Sequence, residues 1–153
     1  MSDTDSGRLP AASAEHLARL EDVYHGAPTN RLIPARLQLS TGAAHLEMPI
    51  ADEHAQAVGQ VHGMLYFKAL DESSFYAANT LVDDVFLTTA SLNVQFLAPL
   101  TSGPMLADAT VVHAARSSFI VDATVRDTTG RLLARSTGTF VRTSSVLRPV
   151  GSR

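Results

Sequence analysis

The segment "VHGMLYFKALDESSFYAAN", residues 61–79, is the feature that most constrains how this chain can fold. Its apolar side chains leave almost no polar face, so we expect a helix wrapped by a sheet rather than one lying on a surface. Two carboxylates, Asp71 and Glu72, interrupt the segment. Because carboxylates rarely enter an apolar interior without a partner or a chemical role, both are candidate functional residues. The apolar positions are Met64, Leu65, Tyr66, Phe67, Ala69, Leu70, Phe75, Tyr76, Ala77 and Ala78.

The residues on either side of this helix alternate between apolar and polar, which is typical of half-buried strands. Two short strands are predicted around residues 36–41 and 43–50, and four more strands, arranged as a meander, follow the helix. A shorter helix begins after Ser13, a residue suited to cap it. This order of elements predicts an α+β domain, with an antiparallel sheet around one central helix and an additional N-terminal helix.

The length of 153 residues is that of one domain, and no linker rich in proline or glycine divides it. We expect a disordered segment at residues 1–13, one folded domain at 14–143 and a flexible tail at 144–153.

Composition excludes several classes of function. The formal net charge is −3 and the basic residues are scattered, so the chain lacks the charge pattern of a nucleic-acid-binding protein. The absence of cysteine removes disulfides, thiolate nucleophiles and thiolate zinc sites. The histidines show no spacing that would assemble a metal site. No apolar run is long enough to cross a membrane and the start lacks a signal peptide, so we expect a soluble, cytoplasmic protein.

The start of the central helix suggests the chemistry. Gly63 lets another molecule approach the backbone, and the unpaired N–H groups of a first helical turn can stabilise a carbonyl oxygen that becomes negative. Asp71 or Glu72 could then act as the base or the nucleophile. Asp71 lies eight residues after Gly63, or ~12 Å along a helix. The two cannot reach one carbonyl from the same helix, so a shared site requires a second copy of the chain in a two-fold dimer.

These motifs together resemble one known family. An "HG" pair with an acid nine residues after the histidine is followed by an asparagine-containing strand, "FLAP", an arginine after "VH", "DTTGR" and "GTF". Over residues 44–143 the chain resembles the hotdog-fold acyl-CoA thioesterases, and most of all the PaaI-like type linked to phenylacetate degradation. The resemblance implies hydrolysis of a thioester to a free acid and coenzyme A, without a cofactor. It also implies a homodimer whose sheets join edge to edge, often paired again into a homotetramer.

The resemblance also implies roles for particular residues. Asp71 matches the catalytic carboxylate, and Gly63 matches the residue whose N–H polarises the thioester carbonyl. His62 matches the histidine that shapes that site, although a purely structural role as a helix cap is an equal alternative. Thr89 falls where relatives place a hydroxyl that orients water. Gln56 occupies the position of an asparagine in relatives, and its longer side chain changes the alignment of the nucleophile.

A second departure from the family pattern is Met64, which replaces a second glycine and should narrow the pocket. We expect the acyl group to be lined by Met64, Phe67, Phe75 and Val82. Arg116 is a candidate to bind a phosphate of coenzyme A, because arginine suits bidentate phosphate binding; a solvated strand-end arginine is the alternative.

Two other functions remain open at this stage. A hotdog-fold hydratase or dehydratase would act on the same thioesters, but the differently placed histidine of such enzymes is missing. A non-catalytic protein that binds acyl-CoA or another small ligand is the second. The sequence decides neither the acyl group nor whether Asp71 attacks directly or activates water.

Overall fold

The computed structural model describes residues 11–146. Most of the predicted N-terminal disordered segment and most of the C-terminal tail lie outside these residues. The helices are α1 (Ala14–Gly26), α2 (Thr29–Leu32) and α3 (Gly63–Asn79), with a short 3-10 helix at Asp52–His54. The strands are β1 (Arg36–Ser40), β2 (Ala43–Met48), β3 (Thr88–Phe96), β4 (Met105–Ala114), β5 (Ser118–Arg126) and β6 (Leu132–Val141).

The strands form one antiparallel sheet in the order β1-β2-β4-β5-β6-β3, and α3 packs against all six of them. One side of α3 is fully buried by this sheet, with Leu65, Ala69, Leu70 and Ala77 at 0% exposure. The predicted α+β fold, a sheet wrapped around a central helix with an extra N-terminal helix, is confirmed. This arrangement is the hotdog fold that the family resemblance implies.

The predicted meander of four strands after α3 is wrong at its first member. Strands β4, β5 and β6 do form a meander, but β3 pairs with β6 rather than with β4. The neighbour of β4 is instead β2, where Ala44, Leu46 and Met48 lie opposite Ala109, Ala107 and Met105. Alternation of apolar residues identifies a strand but carries no information about its neighbour. The consequence is that β3 forms an edge of the sheet.

The two edges of the sheet differ. At the β1 edge, side chains of α1 accept hydrogen bonds from the strand: Leu39 N–H donates to Glu21 Oε1 at 2.8 Å, and Leu37 N–H donates to His25 Nε2 at 3.2 Å. At the other edge, β3 bonds only to β6, and within residues 11–146 no strand pairs with its outer side. Unpaired strand edges readily pair with another chain, so β3 is the edge available for association.

Residues at both ends of the predicted domain have defined contacts. Ser13 Oγ accepts a hydrogen bond from His16 N–H at 3.1 Å, as expected for the cap of α1. Ala12 N–H donates to Thr41 Oγ1 at 2.9 Å, so the described part of the segment before α1 is tied to the domain. At the other end, Phe86 N–H donates to the carbonyl of Ser145 at 2.8 Å.

Replacing Glu21 with alanine tests the protection of the β1 edge. Glu21→Ala leaves the Leu39 N–H without its acceptor and should lower the free energy of unfolding by about 1 kcal/mol, whereas Glu21→Gln keeps an oxygen acceptor and should lose less. Asp22→Ala on the exposed side of α1 is the control, with an expected change within about 0.5 kcal/mol. Urea denaturation measures all three. Equal losses for the alanine and glutamine variants would contradict the role assigned to the Glu21 oxygen.

Candidate active site

The first half of the candidate site is the N-terminus of α3. His62 is the cap of the helix, and its Nδ1 accepts a hydrogen bond from Met64 N–H at 3.1 Å. The sequence left two roles open for His62, and this contact corresponds to the structural role as a helix cap. The next residue, Gly63, has no acceptor for its N–H within residues 11–146. It lines a pocket of about 340 Å³ together with Gln56 and Phe96.

Phe96 lies directly over the glycine. A Cβ atom built on Gly63 would stand 3.6 Å from a ring carbon of Phe96, which is ordinary van der Waals contact. Tyr66 completes this wall: its ring centroid is 5.9 Å from that of Phe96, and its hydroxyl accepts a hydrogen bond from Leu100 N–H at 2.7 Å. The glycine therefore lies at a pocket lined by two aromatic side chains, and its first-turn N–H is a candidate donor to a developing oxyanion.

The second half of the site is centred on Asp71. Its side chain is half-buried, and Thr89 Oγ1 donates a hydrogen bond to Asp71 Oδ1 at 3.0 Å. The two residues line a pocket of about 350 Å³ together with Phe75. Burial raises the pKa of Asp71 above its ordinary value, and the hydrogen bond from Thr89 partly opposes this shift. One carboxylate oxygen is thus held by the threonine, and the other is free to accept a proton or a water molecule.

The neighbouring acid, Glu72, is already paired. Lys68 Nζ lies 2.5 Å from Glu72 Oε2, one helical turn away, and the Tyr24 hydroxyl donates to the same oxygen at 3.0 Å. Glu72, which the sequence offered beside Asp71 as a candidate base or nucleophile, is therefore neutralised by a lysine on the same helix. Burial and the charge of Glu72 both raise the pKa of Tyr24. Within residues 11–146 Asp71 has no such cation, so it is the acid left available for chemistry.

A single chain keeps the two halves apart. The pockets of Gly63 and Asp71 share no lining residue, and the two residues are separated by ~12 Å along the rigid helix α3. The structure brings Asp71, Thr89 and Phe75 together in one pocket, and Gln56 and Gly63 in the other.

The remaining predicted residues lie outside both pockets. Met64 and Phe67 are exposed on α3 to 53% and 45%, so they do not enclose a cavity within one chain. Val82 is buried and lines a separate pocket of about 310 Å³ beside α1, with none of the predicted catalytic residues. Arg116 is exposed in the turn between β4 and β5.

Several residues that line these pockets gave no sequence signal. Gln60 lies beside Gln56, with the two amide groups 3.5 Å apart, and both line the pocket of Gly63. Tyr24 and Asn30 line the pocket of Asp71. In the sequence, Tyr24 fits the apolar face of a helix and is expected in the core, and Asn30 lies in a segment without periodicity. The only usable hint was the amide of Gln60, two residues before the "HG" pair.

Two kinds of feature are absent from the described part of the chain. Across residues 11–146, no helix combines the length and the apolar character needed to cross a membrane. In the same range, no group of three or more histidine, aspartate or glutamate side chains is placed to hold a metal ion.

Comparison with known proteins identifies the family. The model of the thioesterase superfamily matches residues 58–134, half of the chain and a range that contains Gly63, Asp71 and Thr89. The chain therefore belongs to the thioesterase superfamily, as its motifs predicted. A candidate esterase of Saccharolobus solfataricus is 28% identical over 104 residues, which are 68% of this chain and 74% of that protein.

Solved structures confirm the fold. A thioesterase family protein from Silicibacter pomeroyi superposes with a TM-score of 0.77 at 25% identity, over 86% of this chain and 99% of that chain. The PaaI protein of E. coli, from the phenylacetic acid degradation operon, superposes with a TM-score of 0.77 at 16% identity, over 87% and 99%. Likeness at 16% identity establishes a common fold with PaaI and no more.

Removing the Thr89 hydroxyl tests the electrostatics around Asp71. Because the hydrogen bond from Thr89 favours the ionised carboxylate, Thr89→Val should raise the pKa of Asp71 further. An NMR titration that follows the side-chain carboxyl carbon of Asp71 measures the shift. The control is Thr110→Val in β4, which removes an exposed hydroxyl outside the pocket of Asp71 and should leave the titration unchanged. An Asp71 pKa that stays constant or falls in Thr89→Val would contradict the assigned hydrogen bond.

Proposed function

We propose that this protein hydrolyses acyl-CoA thioesters to a free acid and coenzyme A, at two sites shared between the subunits of a homodimer. The observation that carries this proposal is the separation of the two half-sites. Within residues 11–146, each chain holds an N–H without an acceptor at the start of α3 and an acid without a cation two turns later, and a single helix cannot bring both to one carbonyl. A second copy in the opposite orientation supplies the missing half to each site.

The surface around the half-sites supports association along β3. Among the described residues, 11–146, no strand pairs with the outer side of β3, and apolar side chains at the end of this strand and on the outer face of α3 are exposed. Exposed clusters of this kind mark association surfaces. We propose that two copies of β3 pair across the two-fold axis and that the exposed faces of the two α3 helices meet. The exposed fractions are 58% for Phe96, 53% for Leu97, 53% for Met64 and 45% for Phe67.

In the proposed mechanism the carbonyl oxygen of the thioester accepts a hydrogen bond from the Gly63 N–H of one subunit. The partial positive charge at the start of the helix stabilises the negative charge that develops on this oxygen. Asp71 of the other subunit takes a proton from a water molecule that Thr89 helps to place, and the water oxygen bonds to the carbonyl carbon. The C–S bond then breaks, and the departing thiolate receives the proton. Direct attack by Asp71 would give the same products through an anhydride.

Other residues bind the substrate in this proposal. Gln56 faces the carbonyl from the pocket of Gly63, and Phe75 packs against the acyl group beside Asp71. Arg116 is exposed on a strand turn, where it is free to meet a phosphate of coenzyme A. No cofactor is needed, because water is the only other reactant. Pairing of two dimers into a tetramer stays a prediction from the family resemblance.

Replacing the carboxylate with an amide tests the chemistry. Asp71→Asn removes the proton acceptor and should lower kcat for thioester hydrolysis at least about 100-fold, measured as release of free thiol from a panel of acyl-CoA substrates. The control is Asp83→Asn, an exposed acid outside both half-sites, which should keep wild-type rates. Full activity in Asp71→Asn would overturn the assignment. Saturable binding of acyl-CoA by the wild-type protein without thiol release would identify a binding protein instead.

Mixing two inactive variants tests the shared site. Asp71→Asn removes the acid, and Gly63→Val places bulk in front of the helix N-terminus next to Phe96. After the two variants are unfolded and refolded together, half of the dimers are mixed, and each mixed dimer holds one intact site. The mixture should therefore recover roughly a quarter of the wild-type activity. If both halves acted within one chain, the mixture would stay as inactive as its components.

A further inference from the structure

We infer that the connection between α1 and α2 closes the far end of the acyl pocket, and that it restricts the enzyme to uncharged acyl groups of limited length. This inference rests on the proposed function. The pocket beside Asp71 lies between α3 and the N-terminal helices, and residues from the end of α1 to the start of α2 line it: Tyr24, Ala27 and Asn30. On the α3 side it is lined by Phe75 as well as by the acid. An acyl group whose thioester lies at Asp71 and whose tail points into this pocket ends against residues 24–30.

This end wall is held in place by a network of side chains from three elements. The Asn30 Nδ2 donates to the carbonyl of Tyr24 at 2.5 Å, and Lys68 Nζ donates to Asn30 Oδ1 at 3.1 Å. Lys68 also forms the ion pair with Glu72 at 2.5 Å, and the Tyr24 hydroxyl bonds to the same carboxylate. Moving the wall would break several of these bonds in a partly buried setting, where unpaired polar groups are costly. The wall is therefore a fixed stop rather than a flexible flap.

Aromatic rings pack against one another behind and beside this wall. The ring centroids of Tyr24 and Tyr76 are 5.2 Å apart, and those of Phe75 and Tyr76 are 5.3 Å apart, in edge-to-face contacts. Edge-to-face contacts hold such rings in defined positions. Tyr24 and Tyr76 are buried, at 1% and 7% exposure, so the partly exposed ring of Phe75 is the one that a tail would contact, and the packed rings behind it limit its movement.

The charges of the wall exclude an anionic tail. Lys68 is the cation of the network, and it is already engaged by Glu72. Among residues 11–146, a tail that ends in a carboxylate would find Glu72 in the lining and the lysine of the network already paired with it, and the carboxylate would lose its hydration on entry. An uncharged tail meets neither penalty, so the network selects for neutral acyl groups as well as for their length.

Enlarging Ala27 tests the inference without removing any packing. Ala27→Leu adds carbon at the end of the pocket, so kcat/KM for the longest saturated acyl-CoA that the wild type hydrolyses should fall at least about tenfold relative to that for acetyl-CoA. Ala18→Leu adds the same bulk at an exposed position of α1 and should leave the chain-length profile unchanged. Asn30→Ala, which shortens a wall residue, should shift the profile toward longer chains. Circular dichroism verifies that each variant is folded.

Three results would overturn the inference. The first is an unchanged chain-length profile in both Ala27→Leu and Asn30→Ala. The second is a profile that shifts in Phe67→Ala but not in Ala27→Leu, since the tail would then run along the exposed face of α3. The third is hydrolysis of succinyl-CoA as rapid as that of butyryl-CoA.

Failure of the proposed function would look different. In that case the wild-type protein would release no thiol from any substrate in the panel. Calorimetric dissociation constants for the same acyl-CoA series would then test the wall directly, because Ala27→Leu should still weaken binding of the longer chains selectively.

Discussion

The structure depends on the burial of one helix by one sheet. All six strands contact α3, and its apolar residues at 0% exposure anchor the sheet around it. A helix enclosed in this way cannot bend or slide, so every group on it has a fixed position along its axis. The distance between Gly63 and Asp71 is therefore a constant of the fold. If both residues are catalytic at one carbonyl, they must therefore come from different subunits.

Adjacent acids on this helix have different tasks. Glu72 is neutralised by Lys68 and tied to Tyr24, so it belongs to the framework that joins α1 to α3. Asp71 faces a pocket with a threonine hydroxyl as its hydrogen-bond partner, and burial raises its pKa. An acid that is partly desolvated is a better proton acceptor than a fully solvated one, at a cost in folding free energy. The lysine thus pairs with one of the two neighbouring carboxylates and leaves the other, Asp71, as the acid that we propose reacts.

Periodicity explains how much of this could be predicted from the sequence. The continuous apolar run of α3 and the alternation along the strands are strong local signals, and they gave the right elements and the right fold. The position of β3 depends on which strand lies beside it, which local alternation does not encode. The pairing of Glu72 with a lysine could not be predicted, because the same lysine could equally well be a solvated side chain. Tyr24 and Asn30 reach the site only because α1 and α2 fold back over α3, a tertiary contact that leaves no local pattern.

The difference between the two edges of the sheet limits how many copies of the chain can join by strand pairing. Side chains of Glu21 and His25 occupy the backbone donors of β1, so this rim offers little to an incoming strand. If the β3 rims of two copies join about a two-fold axis, the combined sheet ends at both sides in a shielded β1. Addition of further copies by strand pairing then has nowhere to start. Assembly through the backbone is self-limiting, and the protein is guarded against fibrous polymerisation by the helix at its own N-terminus.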